Sequence, residues 1–325
     1  MSNTNHYPDL QDLSVYLDPL SHITKQISVP SPVEEVTLPW LAEYGVRLLV
    51  KREDQIHPLV SGNKWRKLKG NIRALAQYNK EGIITYGGAF SNHLHATAAA
   101  AHLAGIPSVG IVRGEYDPEN PTLAFCKQQG MKLHFVSRAD YRAKEESSTI
   151  KEILQQYPTL LPVPEGGSSE LALLGLAELA REIDLLSDID QITVSAGTGM
   201  TAAGIIRYQD VPVSVYSALK ADYLRDHIAS IAGGTAYRYI SDYHFGGYAR
   251  TRPELIDFIN DFTEETGIPL DPIYNGKAIY GLVTDIRMGT IAAGSTVLHI
   301  HTGGLQGIAA YNYLATKVGK QTIGK

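Results

Sequence analysis

Short apolar runs alternate with helix-like patterns along most of the chain. Such runs predict buried strands, and apolar residues at every third or fourth position predict helices. In the first half, the pattern predicts strands at 47–54, 83–86, 108–112 and 132–136, and helices at 64–75, 91–103, 121–129 and 140–157. Regular strand–helix alternation with short turns is typical of βαβ units and a parallel sheet.

A second series follows the Pro/Gly-rich stretch at 161–167, which we interpret as a domain crossover. Ser168 or Ser169 is expected to cap a helix that runs to residue 186. Beyond it, the pattern predicts strands at 191–195, 213–218 and 296–301, and helices at 200–206, 221–231, 253–266, 276–288 and 305–316. Two α/β series predict two open sheets, and ligands of such folds bind at the carboxyl ends of the strands.

The segment before the first series is less regular. Residues 1–20 are polar and rich in turn formers, and we expect a loosely held arm there. Residues 27–39 contain three prolines and predict an extended connector. A short helix is expected to begin at Pro39.

Composition narrows the class of protein without naming a function. A chain of 325 residues has room for one large or two medium domains. A net charge of −5 disfavours nucleic acid as the main partner, because phosphate binding needs a basic surface. The single Cys126 excludes an internal disulfide framework. Since residues 1–20 do not resemble a signal peptide and no apolar run could cross a bilayer, we expect a cytoplasmic protein with no membrane partner.

Lys64 is the first candidate for chemistry. It follows the Ser-Gly-Asn turn at 61–63, so it should occupy the first turn of a helix. A lysine there can point into a cleft, where burial and nearby cations disfavour its charged form. A neutral lysine can form a Schiff base with an aldehyde. The competing interpretation is a solvated basic helix start.

The segment around Lys64 resembles the Schiff-base segment of the fold-type II pyridoxal phosphate (PLP) enzymes. The closest resemblance is to the branch of D-cysteine desulfhydrases and 1-aminocyclopropane-1-carboxylate (ACC) deaminases. Similar stretches lie, in the family's order, at 51–68, 86–98, 164–168, 195–204, 271–277 and 299–304. The resemblance implies an α/β fold of two open twisted parallel-sheet domains, tryptophan synthase β-like, with PLP in the cleft between them. It also implies a homodimer, a large PLP-binding domain at 1–66 and 169–325, and a small inserted α/β domain at 67–168.

The loop at 195–204 follows a predicted strand and opens a predicted helix. Backbone N–H groups of small residues can close around a phosphate, and a helix N-terminus favours its charge. The spacing by itself fits a ligand-free tight turn equally well. The loop resembles the family's phosphate pattern Gly-Thr-Gly-Gly-Thr-x-Ala-Gly, with Met200 in place of a glycine. The resemblance therefore assigns the cofactor phosphate to five residues, Gly197, Thr198, Gly199, Met200 and Thr201.

In the stretch at 86–98, Ser91 and Asn92 are natural helix caps. The resemblance assigns Ser91 and its neighbours, Asn92 and His93, to the substrate carboxylate, and gives Asn92 a contact with the hydroxyl of the cofactor ring. Ser91 could instead only cap its own helix. We expect no metal site here, because His93 and His95 diverge, and a helical metal pair needs i, i+4 spacing.

The stretch at 271–277 resembles the family's Asp-Pro-Val-Tyr-x-Gly-Lys segment. The resemblance places Tyr274 against the reacting carbon, as an acid–base or nucleophilic group. An aromatic pocket wall is the alternative, since most of the 19 tyrosines must be structural. By this resemblance, the position of Asn275 is occupied by glutamate in ACC deaminases and by threonine in desulfhydrases. A glutamate near the pyridine nitrogen would keep it protonated, which asparagine cannot do.

Thr302 completes the predicted site, because the matching threonine of the desulfhydrase-like branch meets the pyridine nitrogen. A neutral partner implies a less protonated ring, which suits β-elimination. The resemblance thus implies a PLP-dependent lyase that converts D-cysteine to pyruvate, ammonia and sulfide. ACC ring opening to 2-oxobutyrate and ammonia, other D-amino-acid eliminations and racemisation remain open. So do a PLP-free nucleotide-binding protein and, less consistently with the ordered motifs, an interaction module.

Overall fold

The computed structural model describes residues 20–234 and 236–324, so the arm predicted at 1–20 lies outside the described residues except for Leu20. The strands are β1 (Val33–Glu35), β2 (Arg47–Lys51), β3 (Gly82–Gly88), β4 (Ser108–Arg113), β5 (Lys132–Val136), β6 (Leu160–Val163), β7 (Gln191–Ala196), β8 (Val213–Ser217), β9 (Arg238–Ile240) and β10 (Thr296–Ile300). The helices are α1 (Ser21–Thr24), α2 (Pro39–Tyr44), α3 (Asn63–Gln77), α4 (Asn92–Ala104), α5 (Pro121–Gln128), α6 (Arg138–Ala143), α7 (Ser148–Gln155), α8 (Glu170–Asp184), α9 (Met200–Tyr208), α10 (Tyr223–Ala232), α11 (Pro253–Thr266), α12 (Asn275–Arg287) and α13 (Gln306–Lys317).

The strands form two sheets, as the two α/β series predict. One sheet has the order β1-β2-β10-β7-β8-β9, and the other has the order β5-β4-β3-β6. Neighbouring strands are parallel in both sheets, except that β1 pairs antiparallel with β2. The α/β class with parallel sheets is therefore confirmed.

The chain divides into two compact units, each containing one sheet. The six-stranded unit comprises residues 28–56 and 176–324 of the described chain, and the four-stranded unit comprises residues 20–27 and 57–175. No helix in the described ranges combines the length and apolar character that crossing a membrane requires.

Both faces of the six-stranded sheet are buried, which explains its apolar runs. Successive residues of β10 enter different cores: Val297 packs in a cluster with Leu282 of α12, while Leu298 packs in a cluster with Ala203 of α9. Side chains alternate across a strand, so a strand covered on both faces needs apolar residues at every position. The four-stranded sheet is built the same way, with Ile111 and Val112 of β4 in separate clusters.

Three strands contradict the predicted element order, and each lies on the edge of its sheet. β1 lies inside the predicted connector at 27–39, and β9 lies in a segment without a predicted element. β6 begins one residue before the predicted crossover at 161–167 and overlaps its first three residues. Edge strands pair on one side and are less enclosed, so they lack a continuous apolar run. Pro162 of β6 is compatible with this position, because an edge strand tolerates a missing N–H donor.

The single helix predicted at 140–157 is wrong, since the structure has α6 and α7 there. The helical path ends at Lys144, whose φ of 51° lies in the left-handed region. Ser147 then starts α7, and its hydroxyl accepts a hydrogen bond from the N–H of Ile150 at 3.4 Å. A serine cap restarts the helix, a signal that the apolar periodicity obscures.

Candidate active site

The turn before Lys64 is fixed by a glycine. Gly62 has φ of 65° and ψ of −150°, a conformation accessible almost only to glycine. α3 begins at the next residue, so Lys64 lies in its first turn, as predicted. Lys64 is half-buried, and its amine donates to Asn63 Oδ1 at 2.8 Å.

Lys67 lies one turn after Lys64 and is buried. Burial, and secondly the charge of Lys64, hold the pKa of Lys67 well below its usual value. A solvated basic helix start is therefore wrong for this residue. The sequence interpretation did not separate Lys67, which is buried, from the half-buried Lys64 and Lys69 of the same segment.

The position of α3 depends on two glycines in the four-stranded unit. A Cβ on Gly70 would lie 2.0 Å from the carbonyl oxygen of Leu171. A Cβ on Gly175 would lie 1.9 Å from the carbonyl oxygen of Arg66. The backbones of α3 and of the first turns of α8 thus approach too closely for any larger residue, and this contact holds the helix that carries Lys64.

The turn from β3 to α4 carries Ser91, Asn92 and His93. Ser91 is the N-cap of α4, and its hydroxyl accepts from the N–H of Leu94 at 3.2 Å. The capping interpretation is thus confirmed. It leaves the assignment to substrate open, because a capping oxygen accepts while its own proton can be donated elsewhere. Asn92 opens the helix and is largely buried.

His93 is buried and neutral. Thr85 donates its hydroxyl proton to the carbonyl of Val163 at 2.8 Å, so His93 Nε2, at 2.8 Å from the Thr85 hydroxyl, must be the donor of that pair. Nδ1 is then an acceptor, and it has no hydrogen-bond partner among the described residues. Burial, then the charges of Lys67 and Lys64, keep the pKa of His93 well below its usual value.

The loop from β7 to α9 fits a phosphate group. Gly199 is the N-cap of α9 with φ of 85°, and it brings no side chain that could accept from the first-turn N–H groups. A Cβ on Gly197 would lie 2.7 Å from Tyr274 Cε1, and one on Gly199 would lie 2.7 Å from Ile228 Cγ1. Met200, which stands in place of the family's glycine, is the first helical residue and is buried. Small residues at a helix N-terminus are the usual cradle of a phosphate.

Asp271 anchors the turn that carries Tyr274. Its carboxylate accepts from the backbone N–H groups of Ile273 at 2.9 Å, Tyr274 at 2.7 Å and Asn275 at 2.9 Å. Tyr274 is half-buried, and its ring centroid lies 6.4 Å from that of Tyr248. Three backbone bonds to one carboxylate fix the direction in which the tyrosine leaves the chain.

Asn275 and Thr302 are directly bonded, although 27 residues separate them. Asn275 Oδ1 accepts from the Thr302 N–H at 3.0 Å and from its hydroxyl at 3.2 Å. The Ser195 hydroxyl lies 3.3 Å from that of Thr302. In the six-stranded unit the fold therefore brings together the glycine-rich loop, Tyr274 and Thr302.

Lys277 and His299 are structural in this arrangement. The Lys277 amine is buried and donates to the carbonyls of His244 at 2.9 Å and Gly247 at 2.8 Å. Burial lowers its pKa to about 8. His299 is buried beside Thr193, 3.0 Å from its hydroxyl. Sequence reasoning missed the bonded pair of Asn275 and Thr302 because no local pattern reports a contact between distant turns.

The comparisons with known proteins agree with this geometry. Residues 27–303 match the family model described as pyridoxal-phosphate dependent enzyme. The chain is 32% identical over 327 residues, covering 90% of this chain and 81% of the other, to the bifunctional D-cysteine desulfhydrase/1-aminocyclopropane-1-carboxylate deaminase, mitochondrial, of Arabidopsis thaliana. It is 28% identical over 331 residues, covering 90% and 99%, to the D-cysteine desulfhydrase of Salmonella schwarzengrund.

Among solved structures, the crystal structure of an ACC deaminase homologue matches with a TM-score of 0.75 and 27% identity, covering 94% of this chain and 99% of that one. The extent of these matches, together with the parallel sheets and the phosphate-compatible loop, confirms the fold-type II architecture and the resemblance inferred from the motifs. The chain therefore belongs to the family of pyridoxal-phosphate dependent enzymes.

Proposed function

We propose that this protein is a PLP-dependent lyase that converts D-cysteine to pyruvate, ammonia and hydrogen sulfide by α,β-elimination. One D-cysteine and one water supply all the atoms of the three products. The observation that favours this reaction is the side chain at position 275. It is an amide hydrogen-bonded to Thr302, where a deaminase-type site would have a carboxylate. The name of the Salmonella schwarzengrund relative, D-cysteine desulfhydrase, supports the same choice.

Each binding role is assigned to a residue with matching chemistry. Lys64 would hold PLP covalently through its amine, the loop at 197–201 would bind the phosphate, and Asn92 and Thr302 would contact the ring. When bound, PLP supplies an electron sink that stabilises negative charge at the α-carbon of an amino acid. The loop's Gly197 and Gly199, which have no room for a Cβ, support the phosphate assignment.

The remaining chemistry belongs to the side chains of this protein. The start of α4, with Ser91 as N-cap, binds the substrate carboxylate, because a helix N-terminus favours an anion and the serine hydroxyl can donate. Lys64 removes the α-proton as a general base. Tyr274, whose backbone is fixed by Asp271, is the acid–base group for the β-carbon substituent. Neutral His93 adds a buried acceptor, Nδ1, without adding a charge.

Reduction with borohydride tests the attachment. Protein reconstituted with PLP and reduced should carry a pyridoxyl group on Lys64, identified by peptide mass spectrometry. Lys64→Ala should lose the adduct, whereas Lys69→Ala, on the same helix, should retain it. A fully reduced protein without an adduct on Lys64 would refute the proposal.

Parallel product assays test the reaction. Sulfide and pyruvate should form from D-cysteine in a Lys64-dependent manner, with little 2-oxobutyrate from ACC. ACC deamination is the second candidate, since the Arabidopsis thaliana relative is named for both activities. Production of 2-oxobutyrate at a rate exceeding that of pyruvate would favour it. A PLP-free nucleotide-binding function does not suit the family to which the chain belongs.

We further propose a homodimer in the cytoplasm, with a small domain at 67–168 inserted into a large domain at 1–66 and 169–325. These assignments rest on the resemblance. Light scattering should give twice the chain mass of 35.5 kDa, and cell fractionation tests the location. Limited proteolysis, followed by mass spectrometry of the fragments, would locate the domain boundaries.

A further inference from the structure

Asn275 uses all four hydrogen-bonding positions of its side-chain amide. Nδ2 donates to Asp271 Oδ2 at 2.7 Å and to the carbonyl of Gly303 at 2.8 Å. Oδ1 accepts from the N–H of Thr302 at 3.0 Å and from its hydroxyl at 3.2 Å. Because an amide has two N–H groups and two lone pairs, and this one is buried, it is saturated within the protein.

These partners allow one orientation of the amide. Asp271 and the Gly303 carbonyl only accept, and the Thr302 N–H only donates. A rotated amide would place oxygen against the carboxylate and nitrogen against the N–H group. Oδ1 must therefore face Thr302.

The Thr302 hydroxyl has one proton and two neighbouring oxygens. Asn275 Oδ1 lies at 3.2 Å and the Ser195 hydroxyl at 3.3 Å. Donation from Nδ2 to the Asp271 carboxylate is charge-assisted, and it polarises the amide so that Oδ1 becomes the stronger acceptor. The Thr302 proton then points to Asn275, and the lone pairs of its oxygen remain for other donors.

We propose that Asn275 is a positioning residue that makes the Thr302 hydroxyl a hydrogen-bond acceptor toward the cofactor ring nitrogen. The inference rests on the proposed function, in which Thr302 faces that nitrogen. A protonated ring nitrogen donates and an unprotonated one accepts, so an accepting hydroxyl favours the protonated ring. Although asparagine cannot itself supply the negative charge of a glutamate, it preserves part of the electron-sink character through Thr302.

Nitrogen-15 NMR of holoenzyme prepared with PLP labelled at the ring nitrogen tests the proposal. Asn275→Leu keeps the branched shape of the side chain and removes the acceptor, so the titration midpoint of the ring nitrogen should fall by about one pH unit or more relative to wild type. In a Thr302→Val background, Asn275→Leu should cause no further change, because it acts through the hydroxyl. An Asn275→Leu midpoint equal to that of wild type would overturn the inference.

A stability control separates positioning from general damage. Asn120 is also buried, and its Oδ1 accepts from two backbone N–H groups, Thr122 at 2.9 Å and Leu123 at 3.0 Å. Asn120→Ala should lower the melting temperature and leave the ring titration unchanged. A shift equal to that of Asn275→Leu would overturn the positioning role.

A measurement on wild type covers the case in which Asn275→Leu does not fold. Neutron diffraction of the holoenzyme should show the Thr302 deuteron directed at Asn275 Oδ1, and a deuteron directed at the ring nitrogen would overturn the inference. Failure of the proposed function has a different signature, namely the absence of a pyridoxyl group on Lys64. Thr302→Val with an unchanged ring titration would overturn the inference and leave that attachment intact.

Discussion

A single methyl group at position 197 tests whether Tyr274 must pack against the glycine-rich loop. A Cβ on Gly197 would lie 2.7 Å from Tyr274 Cε1 and 3.3 Å from its Cζ and hydroxyl oxygen. Carbon atoms pack at about 3.5–4.0 Å, so the tyrosine ring of Gly197→Ala must move by about 1 Å. Gly197 is outside the left-handed region, so the substitution changes packing rather than backbone preference.

The expected cost follows from this displacement. Overpacking should lower the free energy of unfolding by about 1–3 kcal/mol. A displacement of about 1 Å at a reacting group should lower kcat/KM for D-cysteine by about 100-fold. Pyruvate and sulfide release measures the second effect, and urea unfolding measures the first. The pyridoxyl adduct on Lys64 should persist, because that residue lies on α3.

Gly234→Ala is the matched control, because no atom lies within 4 Å of the place where its methyl group would be added, and its φ is not in the left-handed region. It should have wild-type stability and activity. Tyr274→Phe keeps the ring and removes the hydroxyl. If Gly197→Ala acts by displacing that hydroxyl, it should lower kcat/KM much less in the Tyr274→Phe background than in wild type. Wild-type kcat/KM and unfolding in Gly197→Ala would refute the reasoning.

Three further predictions concern the framework of the site. Gly70→Ala should lower the free energy of unfolding by about 3 kcal/mol, because its Cβ would lie 2.0 Å from the Leu171 carbonyl oxygen. A urea unfolding midpoint equal to that of wild type would contradict the close approach of α3 and α8. Glu182→Gln removes the charge that pairs with buried Lys51 at 2.8 Å, and it should cost about 3 kcal/mol in the same assay. Burial and the nearby His301 lower the pKa of His299 to about 3. Between about pH 6.5 and pH 3, the unfolded chain therefore binds more protons at this residue than the folded chain does. The free energy of unfolding should fall with decreasing pH in this range, by up to about 1.4 kcal/mol per pH unit. Unfolding of His299→Gln between pH 4 and pH 7 should show a shallower slope, and equal slopes would refute this assignment.

The sequence by itself determined the interior of both sheets. The predicted strands at 191–195 and 296–301 each differ by one residue from the interior strands β7 and β10, and the predicted helix at 253–266 has the observed bounds. Lys64 lies in the first turn of its helix. Interior strands are covered on both faces, so burial imposes apolar residues at successive positions and leaves a readable signal. The motifs of the loop at 195–204 and of the turn at 271–277 likewise identified the family, because each is a short local segment.

The tertiary structure decided what depends on partners distant in the chain. The edge strands β1, β6 and β9 form because each pairs with a neighbouring strand of its sheet. Their own residues show little of the apolar pattern that burial imposes. In the sequence, Asn275 is only a residue that lacks the charge of a glutamate. In the fold, its amide is hydrogen-bonded to both Asp271 and Thr302. A hydrogen bond needs its donor and acceptor within about 3 Å in space, whatever their separation in sequence, and only the folded chain fixes that distance.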